Sequence, residues 1–131
     1  MKLSALMIIN AIVAVVFGLG FLIVPGLLMA HYGIMADASL EYVGQLFGAA
    51  LLAFGVLTWS ARNAADSDAR QAILLALFVG DGIGFIVALI GQLGGVVNAV
   101  GWSTVVIYLL LALGFGYCRF GATQQTTGMT G

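Results

Sequence analysis

The segment QAILLALFVGDGIGFIVALIGQL, from Gln71 to Leu93, decides how this chain folds. At a rise of about 1.5 Å per residue it makes a helix of about 34 Å, enough to cross a hydrocarbon core of roughly 30 Å. Nearly every residue is Leu, Ile, Val, Phe, Ala or Gly, and Asp81 is its one ionisable group. Polar and apolar residues do not alternate, which argues against a barrel strand. A backbone surrounded by lipid has to satisfy its own hydrogen bonds, so the segment is expected to be a transmembrane helix.

Three other stretches have the same character: Leu3 to Val24, about Tyr42 to Ala61, and about Gly101 to Cys118. The expected fold class is all-α, an integral membrane four-helix up–down bundle. It forms one domain over residues 1–120, with spans at about 3–24, 42–61, 71–93 and 101–118. A flexible tail of Gly, Thr and Gln is expected over 121–131. Composition agrees: of 131 residues, 63% are hydrophobic and 7% charged, where soluble domains carry roughly a quarter charged residues. A soluble fold of this size leaves too much surface exposed to hide so much apolar area. The first span follows Lys2 as a signal peptide would, but its apolar run exceeds the usual 7–15 residues or so of an h-region.

The basic residues set an expected direction. Lys2 precedes span one, Arg62 and Arg70 flank the link between spans two and three, and Arg119 follows span four. The links Pro25 to Glu41 and Gly94 to Val100 contain no Lys or Arg. All four basic residues thus fall on one side, which predicts cytoplasmic N- and C-termini. Trp59 and Tyr117 then mark the inner boundary, and Tyr32, Tyr42 and Trp102 the outer one. Pro25-Gly26 ends span one, and Leu27 to Met35 is expected to lie along the outer surface or re-enter slightly. The short polar link Asn63 to Ala69 predicts an antiparallel hairpin of spans two and three.

Helices in lipid associate where small residues let backbones approach. Span three carries the longest ladder of this kind, Ala72, Ala76, Gly80, Gly84 and Ala88. Span two has Gly44 and Gly48, with Ala49 and Ala53 beside them. Span one offers Asn10, Ala14 and Gly18, and span four Thr104, Tyr108, Ala112 and Gly116. These stripes are expected to be packing seams within the bundle, with a homo-oligomer interface as the alternative.

Asp81 is the most informative residue. It lies eleven positions from Arg70, about 16 Å along the helix and hence near mid-bilayer. A charge there costs about 3 kcal/mol or more, so the side chain should face the bundle interior and carry its proton. No Lys or Arg lies at that depth. Tyr108, eleven positions from Arg119, does, and Asn10 is a few ångströms shallower. Asn10, Asp81 and Tyr108 are therefore the candidate proton- or ligand-binding group, weighed against a hydrogen bond that merely fixes packing.

Other signals are weaker. His31, Asp37 and Glu41 share one link, but their spacing matches no standard metal site. Gln45, Gln92 and Asn98 could line an outer vestibule or simply cap helices. Cys118 sits at the inner face, where packing is a cheaper role than acylation. A single Cys and a single His give no internal disulfide and no ordinary zinc site. A net charge of −1 gives no attraction to nucleic acid. No nucleophile–base pair, phosphate loop or dinucleotide fingerprint is present, so neither enzyme activity nor a cofactor is expected.

The Pro25-Gly26 exit, and Gly48-Ala49-Ala50-Leu51-Leu52-Ala53-Phe54-Gly55 running into Trp59-Ser60-Ala61-Arg62, resemble small bacterial four-helix membrane proteins of the DoxX-like and unknown-function kinds. That resemblance implies an inner-membrane bundle without a settled activity, and it carries over no functional residue. Two functions are expected to compete. One is a structural or accessory subunit that packs with itself or a larger membrane complex. The other is a small oligomeric transporter or channel that couples proton or cation movement to Asp81.

Overall fold

A computed structural model describes residues 2–121 of the chain; of the flexible tail expected at 121–131, Gly121 is instead the last residue of a helical turn, and 122–131 lie outside the described residues. Those residues are helical, with short connecting turns and no strand. The helices are α1 (Leu3–Ile23), α2 (Pro25–His31), α3 (Ala38–Ala61), α4 (Asp68–Leu93) and α5 (Gly101–Gly116), and α5 continues into a π turn, Tyr117–Gly121. Four of them are long and apolar enough to cross a membrane, the last counted as Gly101–Gly121. This is an integral membrane helical bundle.

Two spans start earlier than the hydropathy pattern predicts, and in both cases a cap decides where. The Asp37 carboxylate accepts from Leu40 N at 2.8 Å, so α3 begins at Ala38. Ser67 Oγ accepts from Arg70 N at 3.2 Å and starts α4 at Asp68. Each satisfies a first-turn amide that would otherwise lack a partner. Hydropathy misses these turns because they are polar. Pro25 both ends α1 and opens α2, where its missing N–H is no loss. Helix α2 does not lie loosely on a surface: Pro25 and Met29 are buried, and Met29 reaches over Gly44 of α3.

The expected hairpin of spans two and three gives way to a different pairing. Helix α3 packs along α1, and α4 packs along α5, while α3 and α4 approach only marginally. The small residues explain the choice. A Cβ on Gly48 would lie 2.7 Å from the Gly18 carbonyl oxygen and 2.9 Å from Leu22 N. Gly55 fits against Val15 and the Ala11 carbonyl in the same way. The stripe Gly44, Gly48, Gly55 and Thr58 is buried against α1, whereas Ala49 and Ala53 face outward.

The long ladder of α4 is a seam within the chain only in part. Gly84 is covered by the ring of Tyr108, and Ala88 is half-buried. Ala72, Ala76 and Gly80 are exposed, and nothing lies within 4 Å of where a Gly80 Cβ would be. Small size permits close approach but does not choose which neighbour approaches.

The two helix pairs join at the end that carries the basic residues. Leu6 and Met7 of α1, Leu74 and Leu77 of α4, and Leu111 and Phe115 of α5 form a packed core there. The outer faces are Leu, Ile, Val and Phe; Ile23, Val56 and Ile90, for example, are 70%, 64% and 66% exposed. Such surface is stable in lipid and would aggregate in water.

Candidate functional site

Beyond the packed core the helices part and leave a half-open cavity of about 300 Å³. Helix α1 supplies one wall through Asn10, Val13, Ala14, Phe17 and Phe21. Asn10, Ala14, Phe17 and Phe21 follow at intervals of three or four residues, one face of a helix, so the wall runs about 16 Å from Asn10 to Phe21. Leu40, Phe47 and Leu51 of the neighbouring α3 extend that wall, and Met29, Tyr32 and Ile34 close the end away from the core. Thr104, Ile107, Tyr108 and Leu111 line it from α5. Helix α4 contributes one residue, Asp81.

All three candidates of the sequence reading, Asn10, Asp81 and Tyr108, therefore border one cavity. They are not joined in the way the depth argument suggested. Asn10 is buried, and its Nδ2 donates to Thr58 Oγ1 at 3.3 Å. The Thr58 hydroxyl donates in turn to the Phe54 carbonyl at 2.9 Å. Thr58 is fully buried, and the sequence reading passed over it. The available signal was its place on the same helical face as Gly44, Gly48 and Gly55, the face that meets α1.

Asp81 has a different environment. Its Oδ2 is buried and has no hydrogen-bond partner. Among the described residues it is the only group lining the cavity with a polar atom in that condition. Among the described residues no Lys, Arg or His lines the cavity. Tyr108 is held beside α4 because Gly84, one turn beyond Asp81, leaves room for its ring. At the far end Tyr32 and Thr104 pair through their hydroxyls at 2.9 Å. Asn98 fastens that end by donating Nδ2 to the His31 carbonyl at 3.0 Å and its backbone N–H to the Tyr32 carbonyl at 2.9 Å.

The weaker candidates are employed in local structure. His31 Nδ1 pairs with the Leu27 carbonyl at 2.9 Å, Asp37 caps α3, and Glu41 sits over Gly26. Among the described residues no group of three or more His, Cys, Asp or Glu could hold a metal. Gln45 donates to the Leu22 carbonyl and Gln92 to the Asn98 carbonyl, at 3.2 and 3.1 Å.

The Asn10–Thr58 contact ties α1 to α3 beside the cavity, and its strength is measurable. A double-mutant cycle with Asn10→Ala and Thr58→Val, read by unfolding in detergent micelles, is expected to give a coupling of about 0.6–1.7 kcal/mol. A coupling near zero would mean that glycine packing alone joins the two helices.

No protein-family model, curated protein or solved structure matches the chain.

Proposed function

We propose that this chain is a small, non-enzymatic membrane protein that holds an apolar molecule between its helices, acting as an accessory subunit that packs with itself or with a larger membrane complex. The observation behind the binding role is the 300 Å³ cavity, whose walls are mainly Phe, Leu, Ile, Val and Ala. Ligand sites are usually concave and apolar, with a few polar groups that fix orientation, and Asp81 supplies such a group. Support for assembly comes from the outward Ala72, Ala76 and Gly80 face of α4. In this reading the spans alternate as an up–down bundle in a bacterial inner membrane, as in the DoxX-like proteins the sequence resembles. The clustering of Lys2, Arg62, Arg70 and Arg119 supports cytoplasmic termini.

Thermal unfolding in lipid nanodiscs tests the binding role. 1-Propylnaphthalene is expected to raise the melting temperature of the wild type and not that of Ala14→Phe or Leu51→Trp, which fill the cavity from α1 and from α3. Equal stabilisation of folded wild type and both variants would place the ligand elsewhere.

A second reading, a small oligomeric transporter or channel, draws on the same acid, because Asp81 is the one carboxyl among the described residues that borders the cavity. Proton or cation flux in proteoliposomes should then depend on Asp81. Flux that is unchanged in Asp81→Asn would remove this reading.

A further inference from the structure

The polar groups around the cavity divide into those already partnered and two that are not, Asp81 and Tyr108. Asn10 and Thr58 form a chain that ends on the Phe54 carbonyl. Tyr32 and Thr104 are paired with each other. Asp81 Oδ2 remains a buried acceptor without a donor. A buried polar atom in that state is costly, and a buried carboxylate without a countercharge more so. Among the described residues no cationic side chain lines the cavity, so the protein supplies no countercharge; its own remedies are a proton on Asp81 or the neutral Tyr108 hydroxyl. A countercharge has to come from the occupant.

That requirement selects among apolar molecules. An anionic lipophile would find no cation to pair with and would oppose ionisation of the acid. A neutral hydrocarbon would fill the space and leave Oδ2 as it is. A protonated amine supplies the hydrogen-bond donor and the countercharge together, which makes a strong charge-assisted contact. The aromatic side chains Phe17, Phe21, Phe47 and Tyr108 suit such a head and its apolar body. Phe21 and Phe47 meet edge to face at 5.2 Å and form the apolar far part of the cavity. A volume of about 300 Å³ is about twice the 150 Å³ or so that admits benzene, which suits a body of about two rings.

We propose that the cavity takes a lipophilic monoamine, with its ammonium on Asp81 and its apolar body directed along α1 toward Phe21 and Phe47. The inference rests on the reading of the cavity as a ligand site and adds the chemical class of the ligand.

Three naphthalenes that differ only in the head group separate the two readings: 2-(1-naphthyl)ethylamine, 1-propylnaphthalene and 3-(1-naphthyl)propanoate. Binding is followed by naphthyl fluorescence with the full chain in nanodiscs, and empty nanodiscs correct for partition into lipid. The amine is expected to bind at least tenfold more tightly than propylnaphthalene, with the propanoate weakest. Asp81→Asn, checked for folding by size exclusion and helical content, should lose the preference for the amine and still bind propylnaphthalene. Equal binding of amine and propylnaphthalene by the wild type would overturn the amine assignment and leave the cavity reading intact. Tighter binding of the propanoate, or an amine preference that survives in Asp81→Asn, would also overturn it. If none of the three binds, the cavity reading fails along with the inference.

Discussion

Replacing Gly48 with leucine is expected to abolish the folded bundle. The Cβ alone would stand 2.7 Å from the Gly18 carbonyl oxygen, 2.9 Å from Leu22 N and 3.1 Å from the Phe21 Cβ. Two of these neighbours are backbone atoms of α1, which cannot turn aside as a flexible side chain would. The helices must separate, and the seam from Gly44 to Thr58 must open with them. Overpacking typically costs about 1–3 kcal/mol, and the rigid partners put this site at or beyond the upper end. In a mild detergent, Gly48→Leu should elute as aggregate or melt far below the wild type. Gly80→Leu is the matched control: it adds the same side chain to a span glycine with nothing within 4 Å. Its monomer should melt like the wild type. A lower oligomeric state in Gly80→Leu would identify the outer face of α4 as a contact between copies. Wild-type stability in Gly48→Leu would contradict the close approach of α1 and α3.

The second large effect is expected at Phe115. Its side chain is fully buried, at 0% exposure, in the core that joins the two helix pairs. In soluble proteins Phe→Ala costs about 3–5 kcal/mol, a transfer part and a cavity part together. In a bilayer the separated helices already sit in an apolar medium, so most of the transfer part disappears. The lost contacts with Leu6, Met7, Leu74, Leu77 and Leu111 remain. Phe115→Ala should therefore destabilise by about 2–3 kcal/mol, below the soluble value yet large for a small bundle. Leu113→Ala, on the same helix at 62% exposure, exchanges one lipid contact for another and should change stability little. The comparison, made by reversible unfolding in micelles, measures how much packing alone holds the protein together. An equal loss at both positions would mean that burial from a polar solvent still dominates.

Much of the candidate site was legible before the structure, through depth. Counting residues from Arg70 and Arg119 places Asp81 and Tyr108 at one level, and the cost of a mid-membrane acid turns Asp81 inward. Asn10 followed from similar counting, and all three residues border the cavity. Counting fails at the next step because it gives height and not azimuth. Asn10 turns its amide to Thr58, a residue that is unremarkable in the sequence because threonine bonded to its own helix is common in apolar spans. The cavity itself has no signature in the sequence. It arises because α3 follows α1, α4 follows α5, and the volume between the pairs is filled only at one end.

The sequence by itself determined that there are four apolar helices, because the length and hydropathy of each span are local properties that lipid selects directly. It also determined the levels of the ionisable groups, because a helix converts residue number into depth. The tertiary structure decided which helices are neighbours. Pairing in lipid depends on shape: Gly48 admits a backbone, whereas Gly80, equally small, meets none. The same decision left Asp81, the acid of the segment from Gln71 to Leu93, as the only residue of its helix to reach the cavity.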